Sequence, residues 1–153
     1  AILDILESYH EQRSQLIDVP EAPSGHYMIL VVEDNPINQR LIDRVLSNEN
    51  YELQKAENGE EAVELASKHD FDLILMDIHL PRMDGVEATQ HIRALEGMRG
   101  QVPILALTAS ILSEERKEYL AAGMNDTIAK PFSGEALRGV IRQWIASGSQ
   151  KTE

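Results

Sequence analysis

The 153 residues include no cysteine, which excludes disulfides and thiolate metal sites. Long apolar runs are also missing. Stretches such as "MILVV" at 28–32 and "LILM" at 73–76 fall far short of the roughly 18 residues that a helical membrane span needs. No charged, apolar and small-residue succession of a signal peptide opens the chain, so no membrane contact by this segment and a cytoplasmic setting are the default expectations. Basic residues are scarce: 14 Lys and Arg face 26 Asp and Glu, for a formal charge of -12. That balance argues against direct binding of a nucleic-acid backbone. Neither G-x-x-x-x-G-K-[ST] nor G-x-G-x-x-G occurs, so nucleotide binding has no support.

With 42% hydrophobic and 26% charged residues, the chain is composed like a globular protein of one domain. It begins at Ala1 rather than methionine, which suggests a piece of a longer protein. Residues 1–19 carry a broken helical stripe (Ile2, Ile5, Leu6, Tyr9, Leu16, Ile17), and "PEAPSGH" at 20–26 reads as a linker. The expected division is therefore an N-terminal helix and linker over 1–26, a domain over 27–147, and a disordered tail over 148–153 that starts in "SGSQKTE".

Within the domain, short apolar runs alternate with amphipathic segments. "YMILVV", "YELQKA", "DLILM", "VPILAL" and "TIA" have the length and composition of strands. Between them lie "PINQRLIDRVLSNE", "GEEAVELASKH", "GVEATQHIRALEG", "SEERKEYLAAG" and "SGEALRGVIRQWIA", all of helical length. In the last, Leu137, Val140, Ile141, Trp144 and Ile145 form one apolar stripe. Strands apolar on both faces require cover on both sides, so the fold class is α/β, doubly wound, with a five-stranded parallel sheet and helices on both faces.

Ligands of such sheets collect beyond the carboxyl ends of the strands. The first strand ends in Glu33 and Asp34, the third in Asp77, the fourth in Thr108 and the fifth in Lys130. The second ends in Ala56, which fits an outer edge. Like charges 4 Å apart cost about 4 kcal/mol at an effective dielectric of 20, so three carboxylates need a cation. Mg²⁺ suits them, because it takes oxygen ligands and keeps waters that a phosphoryl group can replace. Lys130 and Thr108 add a mobile cation and a hydroxyl for phosphoryl oxygens. The remaining carboxylate is then placed as a nucleophile that yields an acyl phosphate.

"VVEDNPINQRLI", "LILMDIHLPRMDGVEAT", "ILALTA" and "GMNDTIAKPF" resemble the receiver domain of two-component response regulators, most closely that of hybrid sensor histidine kinases. The resemblance covers residues 27–146 and implies the flavodoxin-like strand order 2-1-3-4-5. It further implies Asp77 as phosphoacceptor and Mg²⁺ held by Glu33, Asp34, Asp77 and the backbone carbonyl of His79. Thr108 and Lys130 would contact the phosphoryl group, with a cis peptide before Pro131. The partners implied are a histidine kinase or a histidine phosphotransfer domain. The domain would catalyse its own phosphorylation and dephosphorylation as part of a hybrid kinase, although this chain has no kinase catalytic domain. His79 and Ser110 occupy the positions that tune phosphate lifetime in the family. Two departures stand out: Glu33 replaces a frequent Asp, and Thr127 stands where many members carry a switch aromatic. The second points to a receiver that passes phosphate on.

Each feature has a plainer reading when taken alone. Asp34 would be a helix cap, Thr108 a strand-end hydroxyl bonded to backbone, and Lys-Pro a chance pair. Only the five together, in order, are specific. His10 in "YHEQR" reads as a linker histidine, and His69 and His91 as helix positions. Of the other acids near Asp77, Asp72 is expected at the strand entry facing solvent and Asp84 as a helix cap with Glu87 in a capping box. Ile37, Leu80, Pro81 and Phe132 are the apolar candidates for docking a partner helix. Two functions compete with phosphoryl acceptance: a receiver-like interaction module that is never phosphorylated, and a Mg²⁺-dependent phosphatase. The phosphatase commonly needs a second acid two residues after the nucleophile, where His79 stands.

Overall fold

The computed structural model describes residues 26–47, 49–109 and 112–151, with side chains through 146. All but His26 of the N-terminal helix and linker expected over 1–26, with His10, and the tuning position Ser110 lie outside these residues. Strands β1 (Tyr27–Val32), β2 (Tyr51–Ala56), β3 (Leu73–Asp77), β4 (Ile104–Thr108) and β5 (Asp126–Ala129) alternate with helices α1 (Pro36–Leu46), α2 (Gly59–Lys68), α3 (Gly85–Arg93), α4 (Ser113–Ala122) and α5 (Gly134–Lys151). All the pairings are parallel, in the order β2-β1-β3-β4-β5.

Strand alternation divides the core into two layers. Ile29, Val31, Leu73, Leu75, Leu105, Leu107 and Ile128 face α1 and α5, where they meet Ile42, Leu46, Leu137 and Ile141. Leu30, Val32, Ile74, Met76, Ile104 and Ala106 face the other way, toward Ala62, Ala66, Ala88, Ile92 and Tyr119 of α2, α3 and α4. Each fully buried Leu or Ile contributes about 1.5–3 kcal/mol, so the central strands dominate the stability of the sheet.

Differences from the sequence expectation are confined to element ends. β3 starts one residue late, at Leu73: the Asp72 carboxylate accepts the Met28 N–H at 2.8 Å, where a strand partner's carbonyl would, while the Asp72 amide donates to the Met28 carbonyl. Asp72 is exposed, as expected, and also bonded. The third helix stops at Arg93, and a 3-10 turn over Gly97–Gln101 follows, with Gly97 at φ 73°. The last helix continues to Lys151, past Ala146 where the expected helical segment ends and into the tail expected to be disordered from 148, since no proline interrupts it.

Candidate functional site

At the carboxyl end of β1 the chain turns sharply into α1, and the turn is held by one buried glutamate. Asn35 caps the helix, its side chain accepting the Ile37 N–H at 2.8 Å, and Pro36 occupies the first turn, where a missing N–H costs nothing. The cap is therefore Asn35, which leaves Asp34 exposed and without a hydrogen-bond partner among the described residues. Glu33 points inward and is only 1% exposed. Its Oε1 accepts the Asn35 N–H at 3.2 Å and Asn38 Nδ2 at 3.4 Å, and its Oε2 accepts Lys130 Nζ at 2.9 Å. Gln39 donates to the Glu33 backbone carbonyl.

Asp77 lies across from it. The β1–β3 register pairs Val31 with Leu75, so two further residues on each strand bring Glu33 beside Asp77. Asp77 is 6% exposed; Oδ2 lies 3.2 Å from Lys130 Nζ, and Oδ1 accepts the His79 N–H at 3.3 Å. Burial, reinforced by the charge of Glu33, pushes its carboxyl up to about 6, against the opposing pull of Lys130. Burial acts on the Lys130 ammonium in the other direction, but its hydrogen bond to Glu33 and the charge of Asp77 raise it overall. Lys130 comes from the loop after β5, where its amide donates to the Thr108 carbonyl at 2.8 Å and its peptide to Pro131 is cis, as expected. Thr108, 2% exposed, ends β4 beside it.

The carboxylate oxygens of Glu33, Asp34 and Asp77 lie within 4.8 Å of one another. Three acids against one lysine leave the cluster anionic, and oxygen donors at this spacing are what a hard divalent cation takes. Mg²⁺ therefore fits the residues present.

Among the other expected site residues, His79 is exposed and touches the site through its backbone amide. Thr127 is half-buried on β5 and lines a groove of about 500 Å³ with Pro131, Phe132, Ala136 and Val140. Of the docking candidates, Ile37 is 72% exposed and Pro81 is exposed. Leu80 and Phe132 need correction: both are half-buried, Leu80 packed on the α2–α4 layer and Phe132 on the α1–α5 layer. Their apolar surface is largely used inside the domain. Asp84 caps α3 by accepting the Glu87 N–H at 2.8 Å, as expected.

Three contributors were not legible. Asn38 and Gln39 hold Glu33, and nothing in their spacing singled them out. Gly85 is, by sequence, only a helix start, yet a Cβ there would lie 2.2 Å from the Asp77 carbonyl oxygen. α3 can approach Asp77 only because residue 85 has no side chain.

The family model for the response regulator receiver domain matches residues 29–142. The chain belongs to the response regulator receiver domain family. As a receiver domain of two-component phosphorelay systems, it is 41% identical over 127 residues to the sensor protein GacS of Pseudomonas syringae pv. syringae. The match covers 82% of this chain and only 14% of that protein's length. Among solved structures, the receiver domain of sensor histidine kinase PA1611 from Pseudomonas aeruginosa PAO1 is 44% identical, with a TM-score of 0.73, over 80% of this chain and 99% of that one. That crystal has a magnesium ion coordinated in the active site cleft. The receiver domain of the Saccharomyces cerevisiae response regulator Ssk1, co-crystallised with the histidine phosphotransfer protein Ypd1, is 35% identical with a TM-score of 0.74, over 79% and 90% of the two chains. No helix among the described residues of this receiver is long and apolar enough to cross a membrane.

Proposed function

We propose that this receiver accepts a phosphoryl group on Asp77 from a phosphohistidine of a histidine kinase or phosphotransfer domain, and relays it. The observation that carries the reading is the buried Asp77 carboxylate at the carboxyl end of β3, beside Glu33, with Lys130 Nζ shared between the two acids. In the transfer, an Asp77 carboxylate oxygen forms the new P–O bond as the P–N bond to the donor imidazole breaks, and the imidazole nitrogen keeps the electron pair. Lys130 Nζ, now shared by Glu33 and Asp77, turns to a phosphoryl oxygen, and the Thr108 hydroxyl donates to another. Glu33, Asp34, Asp77 and the His79 carbonyl would hold Mg²⁺, as the magnesium ion in the PA1611 receiver supports. When bound, it neutralises the acids and the incoming phosphoryl charge.

His79 and Ser110 are the positions we assign to tuning phosphate lifetime, His79 being anchored to the Asp77 carboxylate by its amide. Thr127, with no ring to swing inward, supports relay over a phosphate-dependent change of the α4–β5–α5 face. The partner helix would dock beside the site on α1, where Ile37 and Leu41 (42% exposed) share one face with exposed Arg40 and Arg44. In a chain of charge -12 that stripe fits an apolar helix flanked by acids. We place the domain in the cytoplasm, as the cytoplasmic part of a sensor protein.

The test is labelling of wild type and Asp77→Asn by acetyl phosphate or a phosphorylated phosphotransfer protein with Mg²⁺. Wild type should label and the variant should not; equal labelling would refute the assignment.

A further inference from the structure

Resting on the cation site proposed above, we propose that Asn38 is a positioning residue of that site, acting through Glu33. A glutamate has one more rotatable bond than an aspartate, so its carboxylate is aimed only if something fixes it. Here both oxygens are held. Oε2 takes Lys130 Nζ at 2.9 Å, and Oε1 takes two donors from the start of α1, the Asn35 N–H at 3.2 Å and Asn38 Nδ2 at 3.4 Å.

The arrangement departs from the usual helix start. Asn38 is the third helical residue after the Asn35 cap, where a capping-box side chain would reach back to the cap's own N–H. That N–H is already taken by Glu33, so Glu33 serves as the box acceptor from outside the helix. The Asn38 amide is thereby free to add a second donor to the same oxygen. The contacts from α1 aim the Glu33 carboxylate whether Lys130 stays on Oε2 or turns toward a phosphoryl group. They keep Oε1 occupied by protein, so that Oε2 would be the oxygen offered to a cation or its water. Asn38 matters because residue 33 is Glu: an aspartate carboxylate, one methylene shorter, would stand back from the Asn38 amide.

The test is a double-mutant cycle on Mg²⁺ affinity, measured by calorimetry on the chain with Glu33→Asp, Asn38→Ala and both changes. Partners that orient metal-binding groups change affinity by about 10–100-fold, and a bond as long as this one belongs at or below the low end. Asn38→Ala should weaken Mg²⁺ binding about 5–10-fold in the wild-type background and less than about twofold in Glu33→Asp. In metal-free protein, the Asn38 side-chain amide signals in nuclear magnetic resonance should move in Glu33→Asp, a readout independent of the ion. Equal losses in both backgrounds, or no loss in wild type, would overturn the inference. Thermal unfolding in EDTA confirms that each variant is folded, and Asn38→Ser repeats the cycle if Asn38→Ala is not. Wild type that takes no Mg²⁺, or Asp77→Asn that binds it equally well, would refute the parent site. Wild type that binds, Asp77→Asn that fails and Asn38→Ala that is neutral would refute the role of Asn38 alone.

Discussion

Replacing Asp77 by Asn should make the metal-free protein more stable at neutral pH, even as it abolishes phosphorylation. Folding moves the Asp77 carboxyl from its ordinary 3.8 to about 6, chiefly through burial. The native state therefore binds this proton more tightly than the unfolded chain. For an acid shifted in this direction, stability is full below about pH 4 and is lost as pH rises through 6. A change of that size is worth on the order of 3 kcal/mol. An asparagine carries no such charge, but its amide faces Lys130 Nζ, which lies 3.2 Å from the present carboxylate, and part of the gain is given back. The net expectation is about 1–3 kcal/mol, or roughly 4–12 °C in Tm for a domain of this size. Urea unfolding of both proteins in EDTA at pH 4.5 and 7.5 measures it. The advantage of the variant should be present at pH 7.5 and shrink at 4.5. Mg²⁺ at 100 times its Kd should offset that advantage, because it adds about 2.7 kcal/mol to the protein that binds it. A variant less stable than wild type at pH 7.5 in EDTA, or a difference that ignores pH, would refute the electrostatic account of the site.

Three other substitutions probe the framework. Arg93, half-buried, donates to the carbonyls of Gly100, Val102 and Gly123 and to Asn125 Oδ1 at 2.7–3.0 Å, so Arg93→Ala should cost about 2–4 kcal/mol in urea unfolding; a loss under about 0.5 would mean that water replaces it. Gly85→Ala sets a methyl 2.2 Å from the Asp77 carbonyl oxygen and should cost about 2–3 kcal/mol while slowing phosphorylation, whereas normal labelling would show that α3 yields freely. Arg82 has φ 67° in a turn closed by the Met83 N–H on the Pro81 carbonyl, and its contact with Glu60 is 3.7 Å and exposed, so Arg82→Gly should gain about 0.5–1 kcal/mol, checked by thermal unfolding.

The chemical groups of the site were legible because each stands at a strand end, and strand ends follow from apolar runs. β1 and β2 were bounded correctly by composition alone, and Asp77 terminates a run whose length a strand requires. The supports were not legible. Arg93 ties together residues 7 to 32 positions away, and no local spacing encodes such a clamp. α4 buries only Tyr119, so its length and not a stripe marks it in the sequence, and Gly123 at φ 114° is its left-handed stop. The half-burial of Leu80 and Phe132 depends on which layer their loops fold back upon, which composition does not specify.

Sheet order explains why the meeting of the acids was legible. β1 and β3 are neighbours, but β1 leads into α1 on one face while β3 leads into α3 on the other, so their connections part and leave a crevice. Glu33, Asp34 and Asp77 are the first side chains past that parting, and any doubly wound chain with this order brings those positions together. The fold supplies the meeting point of the acids; the burial that raises Asp77 and the donors that aim Glu33 come from the turns into the helices. Substitutions in those turns should therefore alter cation affinity and Asp77 protonation while leaving the sheet and its core intact.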